Sequence, residues 1–165
     1  MANDARMILL MAVLIILSAC SSSGSDTANS PSPSAESATV AGVDADQDGI
    51  RDDVNRYIAT TYPNSAKSRS ALMQYSKGVQ RSFVNVSTPG QAAALEPQLL
   101  RAGACVTAIM GSASAITEID VRMANTPARV KARSDYEGYL EGKVFTIPAG
   151  DPATLCDVNP ASLSN

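Results

Sequence analysis

The chain has 165 residues, with 13 Lys+Arg against 16 Asp+Glu, three Cys, no Trp and no His. Without histidine there is no Ser-His-Asp or Cys-His catalysis, no His general base and no His-ligated zinc. A net charge of −3 argues against nucleic acid as a partner, since phosphate binding needs a basic surface, and 45% apolar with 18% charged residues describes a chain that folds.

The N-terminal segment reads as an address. Met7 to Leu17 is an unbroken apolar run. It is shorter than the ~20 residues of a membrane-spanning helix and fits the ~7–15 of a secretory h-region. Asp4 offsets Arg6, so the preceding segment is weakly basic, and the small residues Ser18 and Ala19 follow the run. The tetrapeptide Leu17-Ser18-Ala19-Cys20 resembles the lipobox of bacterial lipoproteins. The resemblance implies a signal peptide over residues 1–19, a diacylglyceryl group on the Cys20 thiol and a further acyl chain, such as palmitate, on its new amine. One acyl chain binds a membrane marginally at about 0.8 kcal/mol per buried CH₂, and two or three bind it stably. In that family Ser21, where Asp would signal inner-membrane retention, implies the outer membrane. The expected location is the cell envelope, on the periplasmic face of the outer membrane.

Residues 20–43 are rich in Ser, Pro, Ala and Gly and have no apolar period, which predicts a flexible tether. Its r.m.s. span as a coil is about 25–30 Å. The folded domain is then expected over residues 44–165.

The domain opens on Asp44-Ala-Asp46-Gln-Asp48-Gly49-Ile50-Arg51-Asp52-Asp53-Val54-Asn55. Against the calcium loop D-x-[DN]-x-[DN]-G, positions 1, 3 and 5 are Asp44, Asp46 and Asp48, and Gly49 takes the sharp turn at position 6. Ile50 offers a backbone carbonyl and a side chain for the core, and Asp52 ligates directly or through water. Clustered carboxylates repel one another unless a cation sits among them, and hard oxygens select Ca²⁺ or Mg²⁺. Position 12 is Asn55 where the pattern has a bidentate Glu, so one ligand is lost or passes to Asp53 or water. The predicted affinity is weak, in the ~10⁻⁴–10⁻³ M range of extracellular modules. With no helix entering it, this EF-hand-like loop resembles the single loops of thrombospondin type 3 repeats and dockerins. Asp52 and Asp53 also suit a helix N-terminus.

Helical periodicity follows. Ile50, Val54, Tyr57 and Ile58 share one face, stopping near Tyr62-Pro63, and Leu72, Tyr75, Val79, Phe83 and Val86 mark a second helix beginning after Asn64 or Ser65. Thr88-Pro89 and Thr126-Pro127 are helix entry signals. Ala102 to Thr117 carries no charge and reads as a buried, small-residue helix, with Pro97 at its start or at a kink. Ile116, Ile119 and Met123 form the next face. A helix over 127–140 buries Ala132, Tyr136 and Tyr139 or Leu140, Gly142 closes it, and Lys143 to Pro148 is extended. The predicted architecture is all-α: a bundle of about four to five helices after the Asp-rich loop, ending in an irregular tail.

Outside the cytoplasm Cys105 and Cys156 are expected to form a disulfide that pins the tail to the central helix. Arg122, Arg129, Lys131 and Arg133 cluster at one helix junction, as a solvated face or a contact for an anionic envelope component. The function expected is that of a non-enzymatic envelope lipoprotein, its calcium-stabilised domain binding another envelope component such as a protein. The alternatives are a cation-dependent hydrolase of the envelope, or an inhibitor or chaperone of a secreted partner.

Overall fold

The computed structural model describes residues 32–165. The expected signal peptide, Cys20 and the first half of the expected tether lie outside that range. The described chain is all-α. Five longer helices, α2 (Asp52–Thr61), α3 (Ala66–Val84), α4 (Pro89–Met110), α5 (Ser114–Met123) and α6 (Pro127–Tyr139), are framed by two short ones, α1 (Pro33–Ser37) and α7 (Pro152–Leu155), and a 3₁₀ turn at Pro160–Ser162. None of the described helices is long and apolar enough to cross a membrane.

Capping residues set the helix starts. The side chains of Ser65, Thr88 and Thr126 accept from the backbone N–H groups of Ser68, Gln91 and Arg129, satisfying donors that a helix N-terminus leaves open. Pro89 and Pro127 begin their helices where a missing N–H costs nothing. α3 is the axle. Its stripe Leu72, Tyr75 and Val79 is buried against Val54 and Ile58 of α2, Ala102, Cys105 and Val106 of α4, and Ile119 and Met123 of α5. A smaller cluster, Ala92, Leu95 and Tyr136, joins α4 to α6.

Several expectations need correction. The uncharged stretch 102–117 is not one helix. α4 ends at Met110, and Gly111 takes φ of 72°, its N–H closing on the Thr107 carbonyl at 2.9 Å before α5 restarts. Glycine suits that left-handed cap because it has no Cβ to clash. Pro97 lies inside α4, the interior one of the two placements the sequence left open. Ala132 is only half-buried on α6, where the fully buried residues are Tyr136 and Arg129.

The ordered domain also begins before residue 44. Pro33–Ser37 is helical, Glu36 is buried, and residues 36–42 lie against α3 and α6. Composition could not show this, because the segment is held by polar bonds to its backbone and not by its own apolar side chains.

The tail is less irregular than its composition suggests. Cys105 and Cys156 form a disulfide joining α4 to the end of α7. Around it, Gln74 and Arg101 both donate to the Leu155 carbonyl, at 3.1 and 2.7 Å. Arg101 pairs with Asp157, and the Ala66 N–H reaches the Ser164 carbonyl.

Candidate metal centre

The loop from Asp44 to Asp52 folds on its own carboxylates. Asp44 accepts from the N–H groups of Asp48 and Gly49 at 3.1 and 3.0 Å. Asp46 accepts from Asp48 N–H, and Asp48 from Ile50 N–H at 2.8 Å. Gly49 has φ of 89°, and a Cβ there would lie 3.1 Å from Lys77 Cε. Gln47 is also left-handed, with φ of 59°. Each carboxylate has about four lone-pair sites, so these amide bonds orient the oxygens and leave others for a cation.

Oxygen atoms of Asp44, Asp46 and Asp48 all lie within 4.8 Å of one another. At Ca–O distances of 2.3–2.6 Å, oxygens on opposite sides of one Ca²⁺ are roughly 4.6–5.2 Å apart, so a single ion can touch all three. Among the described residues, none of Asp44, Asp46, Asp48 and Asp52 forms a salt bridge. Asn55 completes one edge. Its Nδ2 donates to Asp48 at 2.9 Å, while its Oδ1 is buried without a hydrogen-bond partner. The three clustered carboxylates are hard-oxygen donors of the kind Ca²⁺ takes, and Asn55 turns its amide nitrogen to Asp48.

The remaining sequence candidates divide. Ile50 is 2% exposed and plugs the core, fixing the loop's exit. Asp52 is not among the three gathered carboxylates: its Oδ1 accepts from Ala45 N–H at 3.0 Å, and its own N–H reaches the Val43 carbonyl at 2.8 Å. Asp53 turns away and takes both its hydrogen bonds from Arg51. Burial alone would push the Asp53 carboxyl up, but the Arg51 hydrogen bonds and charge, with Arg129 behind, hold it below its ordinary value.

No protein-family model, curated protein or solved structure matches this chain.

Sequence reading missed the two buried arginines that support the loop. Arg51 and Arg129 are both 0% exposed. Arg51 donates to the carbonyls of Arg122 and Met123, which α5 leaves open at its C-terminus. Arg129 donates to the carbonyls of Glu36, Thr39 and Val40 and to Asn125 Oδ1. Between them sits Gly42, at φ of 69°, where a Cβ would overlap both guanidinium side chains. The sole sequence signal was a glycine before an acidic loop. The predicted basic cluster accordingly breaks up. Arg129 is core, Arg122 stacks 3.4 Å over the Tyr57 ring, Lys131 pairs with Asp135, and Arg133 pairs with Glu137 and Asp120.

Proposed function

We propose that this chain is a lipid-anchored protein of the bacterial cell envelope, without enzymatic activity, whose helical domain is stabilised by Ca²⁺ and binds another envelope component. The observation that carries the metal is the Asp44, Asp46 and Asp48 oxygens gathered within 4.8 Å in a loop whose exit, Ile50, is buried in the core. The ion relieves repulsion between the three carboxylates and ties the loop to the start of α2, a structural role. The anchor rests on Leu17-Ser18-Ala19-Cys20 placed directly after the apolar run. The lack of histidine, and the absence of any general base in the loop beside the three Asp carboxylates, favour binding over catalysis.

Thermal melting and calorimetry of the full chain test the metal. With Kd of ~10⁻⁴–10⁻³ M, about 10 mM Ca²⁺ stabilises by roughly 1.4–2.7 kcal/mol. Mg²⁺ does so less, because it demands shorter, stricter octahedral geometry. Asp44→Ala with Asp46→Ala abolishes the shift. An unchanged melting temperature at that Ca²⁺ concentration rejects the site. For the anchor, Cys20→Ser moves the protein out of the membrane fraction and prevents radiolabelled palmitate incorporation.

A further inference from the structure

An apolar hollow of about 630 Å³ opens on the domain, sharing no residue with the Asp loop's ligands. Its size falls within the ~300–1,000 Å³ of small-molecule sites. α4 supplies Leu99, Gly103 and Ala104, α5 supplies Ile116, and the chain before α7 supplies Ile147. The floor is Leu155, 5% exposed, next to the disulfide that binds Cys156 to α4.

Glu96 is the one charged residue in this lining. It is half-buried and accepts from Tyr136 Oη at 2.7 Å. No Lys or Arg forms a salt bridge with it among the described residues. Behind it, Tyr75 Oη donates to Asp120, and Arg133, the nearby guanidinium, is taken by Glu137 and Asp120. Glu96, Asp120 and Glu137 therefore meet one cation around a second, smaller cavity that shares Tyr75, Glu96 and Leu99 with the hollow. The charged lining of the two cavities is net negative, and the walls of the hollow are mostly aliphatic.

We infer that the hollow binds a small amphiphilic ammonium ligand, its aliphatic body on α4, α5 and Ile147 and its protonated amine on the Glu96 carboxylate. A fatty acid or alkyl sulfate would bring a second negative charge against Glu96. A neutral alcohol would leave the carboxylate without a charged partner. Charge-assisted hydrogen bonds to a half-buried carboxylate are among the stronger polar contacts, so the amine decides selectivity and the apolar wall supplies affinity. The site requires neither the bound cation nor the acyl anchor.

Calorimetric titration of the full chain with octylamine, octanoate and octanol, each below its micelle threshold, tests this. Octylamine binds saturably and at least about tenfold more tightly than octanoate, as expected when a like charge replaces an ion pair. Glu96→Gln reduces that preference to about twofold or less, and Ala108→Trp, at an exposed position of the wall, weakens octylamine binding while leaving the melting temperature unchanged. If Ala108→Trp unfolds the chain, Thr107→Phe serves as the blocking variant. Equal affinity for the three probes, a preference surviving Glu96→Gln, or binding unaffected by the blocking variant each overturns the assignment.

Discussion

At the loop end, from Glu36 to Asn55, the backbone is held by side chains reaching in from elsewhere, Arg129 on three carbonyls and Gln80 on the Ala41 carbonyl, while its own Arg51 reaches out to the end of α5. At the tail end, from Lys143 to Asn165, the chain is held by a disulfide, the buried Leu155 and a few bonds from Gln74 and Arg101. The two ends fail differently. A buried polar network with one member removed leaves the other members unsatisfied, so its loss is steep. A covalently pinned apolar end tolerates imperfect filling, and there the domain keeps a hollow of about 630 Å³.

The largest expected effect comes from breaking the loop end. Arg129→Ala orphans the carbonyls of Glu36, Thr39 and Val40 and should cost about 3–5 kcal/mol by urea denaturation. Arg129→Met should recover little of that, because the carbonyls stay unpaired. Residues 36–42 should also become the first site of limited proteolysis. A loss under about 1 kcal/mol would erase the distinction between the ends.

Breaking the tail end ranks next. Cys105→Ala with Cys156→Ala removes a bridge across 51 residues, and the expected loss is about 2–4 kcal/mol, mostly through a freer unfolded chain. The same loss should appear on reducing the wild type, while the Arg129→Ala deficit should persist with or without reductant. If the double variant matched the wild type in urea midpoint, the tail would be held by its polar bonds instead.

Legibility in the sequence follows the same division. The starts of α3, α4 and α6 were readable because Ser65, Thr88 and Thr126 cap where an Asn/Ser or Thr-Pro signal stands, and α2 was readable from its apolar spacing alone. The disulfide was expected from the two cysteines left once the lipobox resemblance assigns Cys20 to the anchor and places the chain outside the cytoplasm. The Asp triplet followed from its spacing. Arg51 and Arg129 were not readable, because arginine is rarely buried and its partners here are backbone carbonyls that no side-chain pattern encodes. For the same reason the ordered segment before Asp44 looked like tether. The break at Gly111 was present as a residue but was outweighed by the uncharged run around it.

Between the two ends, Asp120 gives a smaller, pH-dependent effect. Burial raises its carboxyl above the ordinary value, the Tyr75 hydrogen bond and Arg133 counteract this, and Glu137 adds to it. A carboxyl with a raised folded-state pKa is unfavourable when charged. That penalty is present at neutral pH and fades as pH falls through the folded-state value. Asp120→Asn, which still accepts from Tyr75, should therefore be at least as stable as the wild type at neutral pH. Its advantage should shrink as the pH approaches the ordinary carboxylate range. A variant whose advantage grew on acidification would reverse the assigned direction.

The smallest expected effect sharpens the comparison inside the loop itself. Gln47 holds φ of 59°, a left-handed conformation that costs an L-residue roughly 1–2 kcal/mol. Glycine removes that strain but gives the unfolded chain about 0.4–1 kcal/mol of extra freedom. Gln47→Gly should thus stabilise by about 0–1.6 kcal/mol, read as a small rise in urea midpoint at constant slope. Gly49→Ala should move the opposite way, since φ there is 89° and Lys77 Cε already occupies the side-chain space. Neither change removes a carboxylate, so the Ca²⁺-induced shift in Gln47→Gly should equal that of the wild type. A destabilised Gln47→Gly would mean that the loop does not keep its left-handed turn in solution, and the amide bonds to Asp44 and Asp48 that depend on that turn would have to form another way.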